Sequence, residues 1–385
     1  MKNKKMIGGA IIQLSTVFLL VIQAIMSPII IGMAEYGKVV FLLTPVFLIA
    51  AVFEAVSQHV TIRDAKGSFN YVIKFLIFTT VLVVFFEYIN NIKLGYQTIM
   101  TIICAVTLYL STWSQACFYS KNHLFYIGKA LIISFLTASV FLSISYYFDF
   151  TDMYMYYWMF ILAQLSAFLY IVYVDRINNI YAIDFGIKKV NLNYKAIIES
   201  ISWRLNTIIF TVAFIYTVGL FYTDEVVGQT KYIFTILMGL RFICPFNTPM
   251  IHAHLQKNSR SYGILLKLLV FYFVCCLFVF YGGSCLDKFF ELYLISFLFE
   301  YELYFYSFAV ILTSNTIGSY FVFNNKIHYL FFSSIISFAS CLFLMSSGFS
   351  ADYSFFISTL LYGLIVFISV LYININVINA LRTRG

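Results

Sequence analysis

The chain has 385 residues, 62% of them hydrophobic and 10% charged, with a mean hydropathy of +0.91. Soluble domains carry roughly 25% charged residues, so this composition excludes a soluble fold and points to a polytopic membrane protein. The formal charge of +8 does not signal a nucleic-acid partner, because the basic residues are scattered over short loops and form no face.

Lys2, Lys4 and Lys5 precede an apolar run from Met6 to about Gly32. That run is too long for a signal-peptide core and no A-x-A site follows it, so it reads as the first span. A helix needs about 20 apolar residues to cross the hydrocarbon. On that measure the spans fall at 6–32, 38–60, 71–89, 98–120, 129–148, 154–174, 201–222, 230–255, 262–284, 303–323, 327–346 and 353–378. The stretch 288–300, KFFELYLISFLFE, is apolar but short and reads as an interfacial lead-in. The predicted fold class is therefore an all-α polytopic membrane protein with twelve transmembrane helices. The cysteines lie in or at the ends of apolar runs and form no C-x-x-C, so they read as small hydrophobes. His252 and His254 stand two apart and point to different helix faces, so no metal site is expected.

Charge tests the span count. With the N-terminus in the cytoplasm, eighteen of the 24 basic residues fall on the inner side. Lys38, Lys93, Lys231 and Lys288 fall outside, and Arg204 and Arg241 stay within spans. Acidic residues divide the other way, four inside, eleven outside and Glu54 within a span. This is a positive-inside bias, and miscounting by one helix would flip every later loop and destroy it. Both termini are thus expected in the cytoplasm. The longest loop, about Asp175 to Ser200, divides the chain into an N-lobe (1–174, spans one to six), an inter-lobe loop (175–200) and a C-lobe (201–385, spans seven to twelve). No extramembrane segment is large enough to hold a soluble active site.

The halves echo one another. Span 2 is entered through MAEYGKVVFLLTPVFLIAAVFEAVSQHV, and span 8 through YTDEVVGQTKYIFTILMGLRFICPFNTPMIHAHL. In each, an acidic residue and then a glycine, Gly37 or Gly228, mark the outer mouth of the second helix of a half, and proline follows within the helix. Both halves start in the cytoplasm, so such a repeat is parallel, about an axis along the membrane normal. The phrases IIIGMAEYGKVVFLL and TDEVVGQTKYIFTILMGLRFICPFNTP resemble the matching segments of polysaccharide (O-antigen-type) lipid flippases of the multidrug/oligosaccharidyl-lipid/polysaccharide (MOP) exporter superfamily. The resemblance implies a MATE/MOP-like arrangement of two six-helix lobes around a central cavity, with alternating access. It implies an undecaprenyl-diphosphate-linked oligosaccharide as cargo, a bacterial cytoplasmic (inner) membrane, the phospholipid bilayer as surroundings, and a polymerase and chain-length regulator of the same pathway as partners. Members often carry charged residues in span 1, whereas span 1 here offers only Gln13 and Gln23 as strong polar groups.

Ionisable side chains at bilayer depth are costly and usually face a cavity or a partner. Three stand out: Glu54, Arg204 and Arg241. At a rise of about 1.5 Å per residue, Arg241 lies roughly 16 Å into span 8 and Glu54 roughly 24 Å into span 2. Arg241 is at substrate depth, where its planar fork of donors suits a diphosphate; a structural pairing with a carbonyl or an aromatic ring is the alternative. Arg204 and Glu54 share a depth in opposite lobes and could form an inner-gate ion pair; snorkelling of Arg204 and a locally bonded carboxyl at Glu54 are the alternatives. Lys231 is a further candidate for the substrate, and Gln13 and Gln23 for sugar hydroxyls. Trp113 and Trp158 could stack on sugars. Pro245 and Pro249, four residues apart, each remove a backbone donor and form a candidate hinge.

No phosphate-loop, zinc-protease or serine-hydrolase motif is present, so the expected activity is transport, not catalysis, and no cofactor is expected. Coupling to H+ or Na+ stays open. Two alternatives remain: a membrane polysaccharide polymerase of the same pathway, against which the short, Arg-poor outer loops argue, and a MATE-like cation or drug antiporter, which would want more than one buried carboxylate.

Overall fold

The computed structural model describes residues 11–12, 14–19, 21–63, 68–180, 182–186, 208–240, 262–290, 301–323, 326 and 328–382. Among them there is no strand. The helices are α1 (Ser27–Ile31), α2 (Met33–Arg63), α3 (Phe69–Ile89), α4 (Tyr96–Ser120), α5 (Leu124–Tyr147), α6 (Met153–Ile177), α7 (Phe214–Phe221), α8 (Asp224–Gly239), α9 (Tyr262–Phe290), α10 (Glu302–Phe323), α11 (His328–Ser346) and α12 (Ala351–Arg382). Each overlaps one predicted span. Among the described residues seven are long and apolar enough to cross a bilayer: α3, α4, α5, α6 and α11, with Met33–Glu54 of α2 and Ala351–Tyr372 of α12. The chain is a multi-pass membrane protein. Its exposed side chains fit that setting: Ile77, Phe78, Val81 and Phe85 run down one face of α3 without cover.

The helices end where the sequence supplies residues that tolerate a left-handed backbone. Asn91, Asn122, Asp149 and Asn179 have φ between 49° and 61°, and Gly348 has φ 87°. Asn and Asp visit this region more readily than other residues with a Cβ. Each sets up a Schellman closure, in which the next amide returns to the carbonyl five residues back: Ile92 to Glu87 at 2.8 Å, His123 to Phe118 at 2.9 Å, Phe150 to Ser145 at 2.9 Å and Ile180 to Asp175 at 3.1 Å. At the other end of a helix, Asp152 accepts from the amides of Tyr154 and Met155 and starts α6.

The chain forms two compact units. The first comprises Met1–Arg204 together with Tyr222–Tyr232, the second Leu205–Phe221 with Ile233–Gly385. In the first unit α4 lies against α2, α3, α5 and α6. It can do so because its buried positions are small or capable of hydrogen bonding: Thr98, Thr101, Ala105, Ser111, Ser114 and Ala116. Larger side chains fill the gaps, with Phe53 against Tyr109 at 4.7 Å between centroids and Trp113 against Phe69 at 5.1 Å. In the second unit Phe214, Phe234, Phe308, Tyr304 and Phe355 make one aromatic cluster, with centroid separations down to 4.3 Å. On α11, Ser333, Ser334 and Ser337 are buried, and each hydroxyl donates to the carbonyl four residues back. With no water in the hydrocarbon to serve those hydroxyls, the helix backbone itself satisfies them.

The two lead helices carry matching irregularities. A π-helical turn at Ile22–Met26 precedes α1, and another at Ile209–Ala213 precedes α7. Such turns widen the helix by one residue and recur at functional positions. Gly32, with φ 87°, then separates α1 from α2.

Candidate functional site

Within the first unit the opening turns of α2 and α8 cross at Gly37 and Gly228. A Cβ built on Gly37 would fall inside the van der Waals shell of the Asp224 carbonyl and stand 2.7 Å from the Gly228 amide nitrogen. A Cβ on Gly228 would overlap the Met33 carbonyl and stand 3.2 Å from the Gly37 nitrogen. The two backbones therefore touch, and only glycine permits this approach. Glu35 lies in the first turn of α2, and Asp224 and Glu225 in that of α8, where the helix N-terminus favours negative charge. The acid-then-glycine phrases that echo between the halves are thus the two sides of one contact.

Three residues into α8 from that crossing, the Lys231 ammonium stands 6.0 Å from the centroid of the Phe47 ring on α2. Sequence reading placed Lys231 outside, because the apolar run begins near Thr230. The helix in fact starts at Asp224, which carries Lys231 about 10 Å along it. Phe47 continues into a ring series with Phe160 (5.9 Å), Tyr156 and Tyr36 (5.6 Å from Tyr156) on α6 and α2. Tyr36 is fully buried and its hydroxyl has no hydrogen-bond partner. Ser27 of α1 donates to the Met159 sulfur at 3.4 Å, which seats the lead helix on α6.

Gln23 lies in the first π turn, and its Nε2 is buried without a hydrogen-bond partner. Glu54 is half-buried on α2. Because α2 starts at Met33 and not near Lys38, Glu54 stands about 31 Å along the helix, at the far end of its apolar stretch. Gln13, Arg204, Arg241, Pro245 and Pro249 lie outside the described residues. Trp113, which sequence reading offered as a sugar platform, is 1% exposed. Its indole donates to Ser68 Oγ at 2.8 Å and packs on Phe69 and Phe185, so it is a core residue.

Two carboxylates escaped sequence reading. Glu87 and Asp175 are each 1% exposed, although the first falls at the outer end of the predicted span 71–89 and the second in the predicted inter-lobe loop. They share a local sequence, Glu-Tyr-Ile-Asn-Asn at 87–91 and Asp-Arg-Ile-Asn-Asn at 175–179. In both, the second asparagine takes the left-handed conformation and the Schellman bond closes on the acid's own carbonyl. That geometry holds the acid within the last helical turn. An acid three residues before an Asn-Asn pair was the signal that could have found them. Asp175 Oδ1 accepts the Ala182 amide at 2.8 Å, and Glu87 Oε2 accepts the Thr98 hydroxyl at 2.5 Å. The second oxygen of each is buried and unpartnered.

No family model matches the chain, and no curated protein does. Solved structures do. The lipid II flippase MurJ, in an inward closed conformation, is 15% identical with a TM-score of 0.64, over 97% of this chain and 87% of that one. An inward-facing multidrug resistance MATE family transporter of the MOP superfamily is 12% identical with a TM-score of 0.61, over 96% of each chain. This is the fold of the MOP-superfamily transporters. The eukaryotic MATE transporter AtDTX14 shares it as well, at 10% identity and a TM-score of 0.57 over 97% and 95% of the two chains. At these identities the likeness concerns architecture.

Proposed function

We propose that the chain is an alternating-access flippase. It moves an undecaprenyl-diphosphate-linked oligosaccharide repeat unit across the bacterial inner membrane for O-antigen or capsule synthesis. The observation that carries this reading is Lys231, an ammonium seated about 10 Å along α8 against an aromatic ring. An ammonium at that position can make charge-assisted hydrogen bonds to the oxygens of a diphosphate headgroup. Arg241, ten residues on in sequence, is the second cation for the diphosphate. Gln23, with its unpartnered amide nitrogen, and Gln13 serve sugar hydroxyls, and Pro245 and Pro249 form a hinge. Arg204 acts with Glu54 at a gate. The termini lie in the cytoplasm, and the crossing lies at the outer end. A polymerase and a chain-length regulator take up the delivered units. A MATE-like antiporter for cationic compounds fits less well, since an ammonium repels such cargo. The polymerase reading gains nothing from the comparisons, in which the similar structures are transporters.

The test is deletion of the gene in its host followed by fractionation of lipid-linked sugars. Accumulation of single undecaprenyl-linked units on the cytoplasmic leaflet supports the flippase. Units that reach the outer leaflet but stay unpolymerised would identify a polymerase. Unaltered lipid-linked sugars with impaired export of cationic dyes would identify an antiporter.

A further inference from the structure

Glu87 takes no part in the reading above, yet the fold has gone to some length to bury it. It occupies the last turn of α3, where the helix dipole is negative and disfavours an anion. Oε2 accepts from Thr98 and Oε1 has no partner. Among the described residues no ion pair to it is present. Of the groups on the elements packed around it, Lys38 on α2 and Lys93 in the 90–95 turn are exposed, and Glu35 on α2 is itself acidic. Tyr36 on α2 and Tyr157 on α6 are buried phenols, and Tyr157 bonds Thr101 of α4 at 3.0 Å. Tyr96 on α4 and Tyr154 on α6 pack against each other, tilted, at 5.1 Å between centroids. Among the described residues no cluster of His, Cys, Asp or Glu completes a metal site.

The contrast with Asp175 is informative. Asp175 receives a backbone N–H, a group that can only donate and that holds its partner as an acceptor. Glu87 receives a hydroxyl, which can donate to a carboxylate or accept from a carboxylic acid. Thr98 can make that reversal without losing the Gly95 amide that it already accepts at 3.0 Å. Of two carboxyls built on the same local sequence, one is tied as an acceptor and the other can exchange a proton in place.

We propose that Glu87 and Thr98 form a binding site for a small monovalent cation, and that its occupant is a proton. The proton comes from water at the 90–95 turn, where Lys93, Leu94, Gly95 and Tyr96 are exposed, adds to a Glu87 oxygen, and returns to the same water when the site empties. Its use rests on the transporter reading. Phe86, next to Glu87, packs on Phe41 of α2 at 5.2 Å, one turn beyond Gly37. Emptying the site places an unpaired charge beside that contact and loosens the turn that makes the glycine crossing. Loading the site restores it.

The binding is measured without cargo, so its failure is separable from failure of the flippase reading. The full chain in lipid nanodiscs is titrated by infrared difference spectroscopy. The expected result is one carboxylic-acid C=O band from a dry site that disappears in a single-proton step as pH rises. It should be absent in E87Q, which keeps an acceptor for Thr98, and present in D175N. T98V should shift both the frequency and the midpoint of the band, because it removes the hydroxyl bonded to Glu87. No such band in the wild type at any pH at which the chain stays folded overturns the proposal, as does a band that survives E87Q. A band abolished at constant pH by replacing choline chloride with sodium chloride also overturns it, by assigning the site to Na+.

Discussion

Gly37→Ala is the sharpest perturbation available. The methyl would meet the Gly228 nitrogen at 2.7 Å and overlap the Asp224 carbonyl. Ordinary carbon contacts begin near 3.4 Å, so α2 and α8 must separate by roughly 1.5–2 Å to clear the Asp224 carbonyl, and both neighbours are backbone, which cannot swing away as a side chain would. Overpacking of this kind costs about 1–3 kcal/mol, which converts to a fall of about 5- to 150-fold in the population of the crossed state. Spin labels at Lys38 and Glu225, both exposed and flanking the crossing, report it by pulsed dipolar spectroscopy. We expect one short-distance population in the parent and a shift to longer distances in G37A, with transport reduced in parallel. Gly228→Ala should behave alike. The double variant should cost less than the sum of the two, because both strain one contact. An unchanged distance distribution in G37A with full transport would refute the argument that this contact needs glycine on both sides.

Lys231→Met should lower transport of an anionic lipid-linked cargo by about 10- to 150-fold, the worth of a charge-assisted hydrogen bond, with Lys231→Arg retaining most of it, in a leaflet-accessibility assay. Phe47→Leu should cost only about 2- to 5-fold in the same assay, since a cation–π contact contributes roughly 0.5–1 kcal/mol. If Arg204 and Glu54 pair, R204E and E54R should each impair transport and the double swap should recover it, as measured by complementation; harmless single changes with a dead swap would remove the pair. Asn91→Ala should destabilise the α3–α4 hairpin by about 1 kcal/mol, because alanine resists the left-handed conformation that asparagine accepts here, whereas Asn91→Gly should be neutral or better, by thermal unfolding in detergent.

Helix number, order and approximate extent were legible in the sequence, because span length is set by the bilayer and each apolar run reports it locally. The EYG and DEVVG phrases could be matched to each other as a repeat, but periodicity says nothing of distance. Only the tertiary structure showed that Gly37 and Gly228 touch, because a backbone crossing depends on two helices far apart in the chain. The helix starts were misread for a related reason. Polar first turns such as Met33–Tyr36 and Asp224–Gln229 look like loop to a hydropathy window, yet helix N-termini welcome acids. That error moved Lys231 out of the bundle and Glu54 towards its middle. Glu87 and Asp175 were lost at the opposite ends, where a carboxylate beside Asn-Asn reads as solvated. Burial is decided by what packs over a helix end, here Thr98 for one and the 182–186 segment for the other, and no local run of residues encodes that neighbour.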